Sequence, residues 1–497
     1  MMATSKSDNK PESKGITVKK SENFSEWYTQ LLKKAEIVDI RYNVKGMTVK
    51  LPWGARTMKK MYSVYEECLE KKGHEPLIMP ALIPESNFDL ESDHVKGFQP
   101  QVYWVTEVAD GVKLDEKLAL RPTSETALYR MYSQWIRSYK DLPFKRYQSC
   151  QVWRYEGKAT RPLFRDREFY WIEAHNVFAT KEDAEKQIIE DMETTYEMLS
   201  DRFAMPTLFF QRPEWDKFAG AVHTYAADVL LDSGKVIQLP STHFLGTNFS
   251  KPFNVTFTDQ NGEEKLGYIT CYGPAISRIY GAMLALLGDD KGIVMPFEIA
   301  PVQVVIVPII FRNDLSTVDY AHELEKKIAR FYSVRVDSDN STSPGEKFNF
   351  WELKGVPVRI EVGPRELKEK KVTLALRHTG EKITVSESDL IQKLSEIATN
   401  YTKEVREMHA VKFDDMVVNC RDVHEIKDAI DNSKIARCPL CSIDHDGEKC
   451  ASVIETETKG LVRGIRFDEH PEKELKGMKC AVCGKPAKAM VYVARSY

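Results

Sequence analysis

The sequence predicts an α+β protein with an antiparallel-sheet domain, a mixed α/β domain and a small cysteine-rich α/β domain. Its 497 residues are enough for about three domains. Two polar strands flank a loop at residues 157–162, strands and helices alternate after Pro301, and five of the nine cysteines lie between Cys438 and Cys483. We therefore predict a tail followed by three domains, with the boundaries 1–22, 23–300, 301–405 and 406–497.

The composition excludes several classes of protein. Hydrophobic residues make up 42% of the chain and charged residues 29%, as in ordinary globular proteins. No apolar run approaches the ~18 residues of a membrane span, and a net charge of −3 disfavours indiscriminate coating of nucleic acid. Residues 1–22 are polar and predict a disordered tail, not a signal or transit peptide. Clustered cysteines indicate a reducing compartment, so we expect a cytoplasmic protein with no membrane association.

The two polar strands carry an unusual set of side chains. Residues at period two share one face of a strand. Upstream of the loop, one face holds Cys150, Val152, Arg154 and Glu156, and downstream one face holds Arg165, Arg167, Phe169, Trp171, Glu173 and His175. The downstream face is cationic, then aromatic, then acidic, which suits a ligand with phosphates, a flat ring and an ammonium group. A polar hairpin with one solvated face is the alternative.

Three further stretches hold candidate binding residues. Thr123 or Ser124 is suited to cap the helix that Glu125 begins, or Thr123 and Glu125 face a substrate amine. A loop beside a strand end contains Gln238, Ser241 and His243, where ligand groups often sit, although a lone histidine is more often structural. Gly273-Pro274 permits close approach of the backbone to a ligand, and Arg278 follows at the start of a helix as a ligand contact or a simple capping group.

These motifs, in this order, resemble those of the class II aminoacyl-tRNA synthetases. Arg-x-Glu, a loop and Arg-x-x-x-Phe resemble motif 2, the segment from Gly73 to Pro80-Ala-Leu resembles motif 1, and Gly273-Pro274 with Arg278 resembles motif 3. Two features resemble the prolyl family of archaeal and eukaryotic-like type: the segment Phe-Arg-Asp-Arg-Glu-Phe-Tyr-Trp-Ile-Glu-Ala-His and the terminal Tyr497. The resemblance covers about residues 23–497. In the family motif 1 builds the dimer interface, which implies a homodimer.

The resemblance implies attachment of L-proline to tRNA(Pro) in two steps, through prolyl-adenylate, with ATP and Mg²⁺. Arg154 and Arg278 are the implied catalytic residues. The implied proline-binding residues are Thr123, Glu125, Arg154, Trp171, Glu173, His175 and His243. The implied ATP-binding residues are Arg154, Glu156, Arg165, Asp166, Phe169, Gln238, Ser241 and Arg278. The family more often has threonine in place of Ser241, and both residues carry a hydroxyl. A threonine or serine enzyme and a non-catalytic tRNA-binding paralogue are the alternatives.

Two expectations concern the domain content. Only 62 residues separate His175 from Gln238, too few for a separate editing domain of ~100 residues, so no editing in cis is expected. Beyond Pro301, aromatic and cationic residues interleave in a manner that suits splayed RNA bases, although a solvated charged face is the alternative. The resemblance points to anticodon contacts from Lys347, Glu352, Arg359, Glu361 and Arg365.

The C-terminal cysteines predict a structural Zn²⁺ site. A tetrahedral site needs four thiolates and five are available. Spacing alone favours the two Cys-x-x-Cys pairs, Cys438 with Cys441 and Cys480 with Cys483. The resemblance instead favours Cys441, Cys450, Cys480 and Cys483, although eight residues separate the first two where the family usually has four. In that set Cys438 is left free or able to exchange.

Overall fold

The computed structural model describes residues 14–89, 101–157, 160–312 and 314–497, with the backbone alone for residues 89 and 411–414. These residues divide into two compact units. The first unit contains residues 14–41, 49–60 and 287–405. The second unit contains residues 42–48, 61–286 and 406–497. No helix among the described residues is both long and apolar enough to cross a membrane.

The α-helices of the described residues are α1 Phe24–Lys34, α2 Pro52–Lys71, α3 Glu85–Asp89, α4 Glu125–Trp135, α5 Lys181–Tyr196, α6 Ser250–Phe253, α7 Ile276–Leu287, α8 Ser316–Ile328, α9 Pro344–Leu353, α10 Pro364–Glu369, α11 Leu390–Asp414, α12 Val423–Asp431, α13 Glu448–Thr458 and α14 Glu472–Leu475.

The strands are β1 Val38–Asp39, β2 Val49–Lys50, β3 Glu75–Pro76, β4 Leu82–Pro84, β5 Tyr103–Glu107, β6 Lys113–Leu120, β7 Phe144–Trp153, β8 Glu168–Phe178, β9 Leu208–Gln211, β10 His223–Leu230, β11 Lys235–Gly246, β12 Thr256–Thr258, β13 Glu264–Leu266, β14 Tyr268–Gly273, β15 Val304–Pro308, β16 Val334–Val336, β17 Val358–Val362, β18 Lys371–Leu376, β19 Lys382–Ser386, β20 Val417–Asn419, β21 Ile435–Leu440, β22 Leu461–Arg466 and β23 Ala489–Ser496.

A large sheet forms the centre of the second unit. Its described strands run in the order β20-β21-β23-β22-β9-β10-β11-β14-β8-β7-β3, and the pairs from β22 to β7 are antiparallel. The strands of the predicted C-terminal domain therefore belong to the same sheet as those of the catalytic domain. Strand β22 pairs with β9 through Ile465 and Gln211, so the last four strands extend the same sheet.

The first unit is built on a five-stranded sheet in the order β16-β15-β17-β18-β19. The three strands β16, β15 and β17 are parallel, and β18 and β19 form an antiparallel hairpin. Every residue of β15 is buried, as expected for an apolar run in a parallel sheet covered on both faces. This is the mixed α/β domain that the sequence predicts after Pro301.

The N-terminal segment belongs to the first unit, whereas the sequence predicts that residues 23–300 form one catalytic domain. The indole N–H of Trp27 donates to the carbonyl of Asp289 at 3.0 Å. The indole N–H of Trp53 donates to the carbonyl of Lys354 at 3.1 Å. These two buried indoles fix the segment to residues 287–405. Of the predicted disordered tail, residues 1–13 lie outside the described residues. Residues 14–22 differ from that prediction, since Thr17 hydrogen-bonds to Gln30 at 2.9 Å.

Two elements near the site are short or irregular, and one differs from its prediction. Strand β3 has only two residues. Helix α5 ends at Tyr196 and continues as a π-helical turn, Glu197–Arg202. The loop expected around Gln238 is instead part of the twelve-residue strand β11.

Candidate active site

A cleft on one face of the large sheet gathers most of the predicted site residues around a cavity of about 230 Å³. The predicted residues that line it are Thr123, Glu125, Arg154, Phe169, Trp171, Glu173, His175, Gln238, Ser241, His243 and Arg278. Glu156, Arg165 and Asp166 lie outside this lining, in the segment between β7 and β8. The two polar strands are therefore not a solvated hairpin.

Strand register explains the convergence. Cys271 of β14 lies directly opposite His243 of β11 on one side and His175 of β8 on the other. Opposite residues of neighbouring strands point to the same face of a sheet. Side chains from segments far apart in sequence thus meet in one row, and alternate residues of β8 add Phe169, Trp171 and Glu173 to the same cleft.

One end of the cleft is acidic. The hydroxyl of Thr123 donates to Glu125 Oε2. Ser124 does not cap α4 with its side chain; its hydroxyl donates to Glu173 Oε1 at 2.6 Å and its backbone N–H to Oε2 at 3.1 Å. Burial opposes ionisation of Glu173, but His175 together with the hydrogen bonds from Ser124 and Cys150 holds the pKa of Glu173 below its ordinary value. The buried carboxylate is therefore charged and suited to receive a cation.

The two histidines of the cleft differ in environment. His175 Nδ1 lies 2.8 Å from the hydroxyl of Tyr129, and its Nε2 lies 3.4 Å from Glu173 Oε2. Enclosure in the cleft and the neighbouring His175 lower the pKa of His243 to about 3. His243 is consequently neutral, with its ring nitrogens 2.9 Å from Thr224 Oγ1 and 3.1 Å from Ser241 Oγ.

The middle of the cleft is cationic and aromatic. Arg154 donates Nε to the carbonyl of Pro122 at 2.9 Å, and its guanidinium lies 5.3 Å from the ring of Phe169 and 5.1 Å from that of Trp171. Burial lowers the pKa of Arg154 from its ordinary value, and the nearby Glu125 and Glu173 oppose that shift. A Cβ on Gly273 would lie 2.6 Å from the indole of Trp171, so only glycine leaves this ring in place.

The other end of the cleft is strongly positive. Arg278, near the start of α7, donates Nε to the carbonyl of Phe164 at 3.1 Å. Burial, followed by the charges of Arg154 and Arg165, lowers the pKa of Arg278 to about 10. Three guanidinium groups that repel one another in this way form a site for an anion with several charges.

The sequence does not predict that its last residue, Tyr497, lies near the site. The ring of Tyr497 stacks on Phe164 at 4.8 Å, and Arg165 Nη2 donates to the Tyr497 carbonyl oxygen at 3.4 Å. Asp166 accepts from the backbone N–H of Leu163 at 3.1 Å, so this predicted ATP ligand holds the loop in shape. The carbonyl that orients Arg278 thus belongs to a residue covered by the chain terminus.

The sequence also does not predict a buried network of one aspartate and two arginines. Asp228 of β10 binds Arg212 Nη2 at 2.6 Å and Arg463 Nε of β22 at 2.6 Å. Arg212 Nη2 further donates to Gln238 Oε1 at 3.3 Å and so orients the amide at the cleft. No local sequence pattern joins residues 212, 228 and 463, because the contact depends on the pairing of β22 with β9.

The structure brings four C-terminal cysteines together. The ligand atoms of Cys441, Cys450, Cys480 and Cys483 all lie within 4.8 Å of one another, with Cys441 and Cys450 Sγ atoms 3.6 Å apart. This donor set fits one tetrahedral Zn²⁺. Cys438, which the double Cys-x-x-Cys alternative requires, is instead fully buried in the apolar core beside α12 and α13, where burial raises the pKa of its thiol.

The five residues predicted to contact an anticodon have carboxylate or cationic partners within the first unit. Lys347 is 4% exposed and donates to the Asp337 carbonyl at 2.9 Å, so its contact with an anticodon stays a prediction. Arg359 is also buried and pairs with Glu352 at 3.2 Å and Glu361 at 2.9 Å. Arg365 is 83% exposed and pairs with Glu369 at 3.0 Å. Glu352 and Arg359 line a cavity of about 1160 Å³ with Lys33, Lys34, Lys291, Phe348 and Phe350.

Comparisons with known proteins identify the family. Three family models match: the class II tRNA synthetase core domain (G, H, P, S and T) at residues 103–286, the anticodon binding domain at 303–397 and the prolyl-tRNA synthetase C-terminal domain at 423–497. A proline–tRNA ligase from Thermofilum pendens is 48% identical over 97% of this chain and 99% of its own. The chain belongs to the prolyl-tRNA synthetase family. The predicted fold class and family are therefore confirmed.

Further members of the family have the same extent and fold. A proline–tRNA ligase from Pyrococcus abyssi is 41% identical over 96% of this chain and 98% of its own. The Giardia lamblia prolyl-tRNA synthetase, solved with prolyl-adenylate, superposes with a TM-score of 0.93 at 35% identity, covering 97% of this chain and all of that one. The Cryptosporidium parvum enzyme, solved with halofuginone and AMPPNP, has a TM-score of 0.92 at 30% identity over the same 97% of this chain and all of that one.

Proposed function

We propose that this protein attaches L-proline to tRNA(Pro) by forming prolyl-adenylate from proline and ATP and transferring the prolyl group to the 3′ end of the tRNA. The observation that carries the proposal is the polarity of the cleft. Buried carboxylates lie at one end, and Arg278 lies at the other, where the charge of the nearby Arg165 adds to its own. Such a cleft holds an ammonium group and a polyphosphate at a fixed separation, with Arg154 between them.

Proline is held by its ring nitrogen and its carboxylate. A secondary ammonium has two N–H donors, which match the Thr123 hydroxyl and the Glu125 carboxylate joined by their own hydrogen bond. Neutral His243 and the indole of Trp171 enclose the apolar ring, while Glu173 and His175 support the floor of the pocket. Arg154 binds the proline carboxylate and aligns it with ATP.

The first step needs positioning and charge stabilisation. The attacking carboxylate is already an anion, so no general base is required. Arg154 stabilises the charge that develops on the α-phosphate, and Arg278 with Arg165 binds the β- and γ-phosphates that leave as pyrophosphate. Phe169 stacks on adenine, Glu156 receives its exocyclic amine, and Gln238 and Ser241 contact the nucleotide. We expect ATP to bind with Mg²⁺, which proteins commonly hold through substrate phosphates.

Pyrophosphate exchange with each standard amino acid, followed by tRNA charging, tests the proposal. We expect exchange with proline and transfer to tRNA(Pro). Exchange with threonine or serine alone would indicate another class II specificity, and absence of exchange with every amino acid would indicate a non-catalytic paralogue. Either result contradicts the proposal.

The interval between His175 and Gln238 supports the absence of editing in cis. Residues 176–237 are all described and are occupied by the end of β8, by α5, the π-helical turn, β9 and β10, and by the start of β11. These elements belong to the large sheet and its covering helix. We therefore propose that the enzyme does not hydrolyse Ala-tRNA, and rapid hydrolysis by the purified protein would refute this.

A structural Zn²⁺ bound by Cys441, Cys450, Cys480 and Cys483 is proposed for the C-terminal region. All four positions of a tetrahedral ion would be filled by thiolates, so the metal stabilises the fold and takes no part in catalysis. Metal analysis provides the test: Cys450→Ser is expected to lose the zinc that wild type carries, whereas Cys438→Ser keeps it. The reverse pattern would favour the double Cys-x-x-Cys set.

A cytoplasmic homodimer is proposed from the family and from two observations. The described cysteines form no disulfides, as in a reducing compartment. Ile78, in the segment that resembles motif 1, is 94% exposed, and Leu82 close by is 39% exposed. Exposed apolar side chains that lie close together mark interaction surfaces. Sedimentation should give a dimer for wild type and monomer for Ile78→Asp; a wild-type monomer would contradict the proposal.

A further inference from the structure

Three metal-ligating side chains meet in the cleft outside the C-terminal cysteine cluster. One ligand atom each from Glu125, His175 and Cys271 lies within 4.8 Å of the other two, and all three residues are buried. The arrangement follows from the fold. Cys271 and His175 are opposite residues of β14 and β8, and Glu125 enters from the first turn of α4.

The surroundings of this trio resemble those of a metal centre. The Tyr129 hydroxyl lies 2.8 Å from His175 Nδ1, as the outer partner of a metal-bound histidine does, and leaves Nε2 as the ligand nitrogen, which in the absence of a metal lies 3.4 Å from Glu173 Oε2. One oxygen of Glu125 accepts from Thr123, which fixes the carboxylate. Burial, followed by the carboxylates of Glu125 and Glu173, raises the pKa of the Cys271 thiol. The same negative charges attract a divalent cation.

We propose that Glu125, His175 and Cys271 form a binding site for one zinc-like divalent cation, Zn²⁺ or Cd²⁺, in the amino-acid pocket. Carboxylate, imidazole and thiolate are all zinc ligands, and three protein ligands leave a fourth position directed into the cavity that the trio lines. Nitrogen and sulfur ligands disfavour Mg²⁺, so the ion is distinct from the one that accompanies ATP. As the metal–sulfur bond forms, the Cys271 thiol releases its proton to solvent.

The bound ion excludes proline, because Glu125 cannot ligate a metal and receive the proline ammonium at once. This consequence rests on the proposed function, whereas the metal site itself rests on the three side chains. Zinc or cadmium is expected to raise the KM for proline in pyrophosphate exchange without changing the KM for ATP. The ion therefore acts as a competitive inhibitor and not as a cofactor.

Cadmium titration of the full-length, zinc-loaded protein tests the site directly. Cadmium bound to a thiolate gives an ultraviolet charge-transfer band. We expect this band to saturate at one equivalent with no release of zinc, and to disappear in Cys271→Ser. Cys150→Ser is the matched control: its thiol lies 3.3 Å from Glu173 Oε1, next to the site but outside the trio, so its band should remain.

Each outcome of the cadmium titration either supports or overturns the proposed metal site. No band in wild type, or a band unchanged in Cys271→Ser, overturns the metal site. A band that depends on Cys271 and is displaced by proline supports both the site and its overlap with the substrate. A band that depends on Cys271 but persists in saturating proline supports the site and contradicts the proposed location of proline. Cadmium NMR of wild type requires no variant, and absence of a resonance with mixed sulfur, nitrogen and oxygen ligation overturns the proposal.

Discussion

The arginines of the cleft and the basic residues of the α/β domain have different partners. Arg154 and Arg278 each donate Nε to a main-chain carbonyl, at 2.9 and 3.1 Å. In the first unit, Arg359 pairs with the carboxylates of Glu352 and Glu361, and Lys347 lies 3.5 Å from the Asp337 carboxylate while it donates to the Asp337 carbonyl at 2.9 Å. A neutral carbonyl orients a guanidinium without cancelling its charge, whereas a carboxylate cancels it. The difference indicates that a guanidinium group oriented by a main-chain carbonyl can bind an anion. A basic side chain paired with a carboxylate instead stabilises the fold.

Asp228 provides the strongest test, because its two arginine partners, Arg212 and Arg463, pair with a carboxylate although they lie beside the cleft. Asp228→Asn keeps the shape of the side chain but leaves Arg212 and Arg463 buried without a negative charge. Breaking a buried ion pair costs about 3–5 kcal/mol. Urea unfolding should show this loss, and Asp431→Asn, which disrupts the exposed pair with Arg495, should lose about 1 kcal/mol or less. Equal losses would contradict the comparison.

The pH dependence of the same variant has a defined sign. Burial acts to raise the pKa of Asp228, but the charges of Arg212 and Arg463 outweigh it and lower the pKa below the ordinary value. A lowered pKa contributes stability that is complete above the ordinary aspartate pKa of about 4 and is lost as the pH falls through the folded-state pKa. The difference between wild type and Asp228→Asn should thus be constant near neutrality and decrease in acid.

Arg154→Ala tests an arginine that is oriented by a main-chain carbonyl. Removing a group that stabilises developing charge in an enclosed site typically lowers the rate by about 10²- to 10³-fold, or about 3–4 kcal/mol. We expect a decrease of this size in proline-dependent pyrophosphate exchange, with little change in urea unfolding. Arg365→Ala, in the other unit, is the control and should retain exchange. Near-normal exchange in Arg154→Ala would show that the assignment is wrong.

The sequence was most informative where local periodicity sets geometry. Alternate residues of β8 share one face, so Phe169, Trp171, Glu173 and His175 were placed in one cleft correctly. It was least informative where a contact depends on distant strands. Neither the stacking of Tyr497 on Phe164 nor the pairing of Asp228 with Arg463 has a local signature, because both depend on the C-terminal strands joining the catalytic sheet.

The interleaved aromatic and cationic residues of the α/β domain do not indicate which of its cations are buried. Lys347 belongs to that pattern, but its side chain is 4% exposed and contacts Asp337. A lysine can bury its aliphatic stem and place its ammonium group on an internal acceptor. Whether such a residue contacts RNA or stabilises a domain depends on tertiary partners that composition does not reveal.

Lys347→Met separates these two possibilities in the α/β domain. The substitution keeps the apolar stem and removes the donor to the Asp337 carbonyl, leaving a buried acceptor unsatisfied at a cost of about 1–3 kcal/mol. We expect lower stability in urea and an unchanged KM for tRNA in the charging reaction. A higher KM for tRNA with unchanged stability would instead support the original prediction of an anticodon contact.

Arg365→Ala should have the smallest effect and the most selective one. Its side chain is 83% exposed and its pair with Glu369 lies within one turn of α10, so stability should change by less than about 0.5 kcal/mol. If Arg365 contacts a phosphate of the anticodon loop, the variant weakens tRNA binding by about 1 kcal/mol or less and reduces the slope of log affinity against log salt by about one. Lys393→Ala, which disrupts a comparable surface pair with Glu396 on α11, is the control. The same salt slope in both variants would place the RNA away from Arg365, which is the one exposed cation among the five predicted contacts.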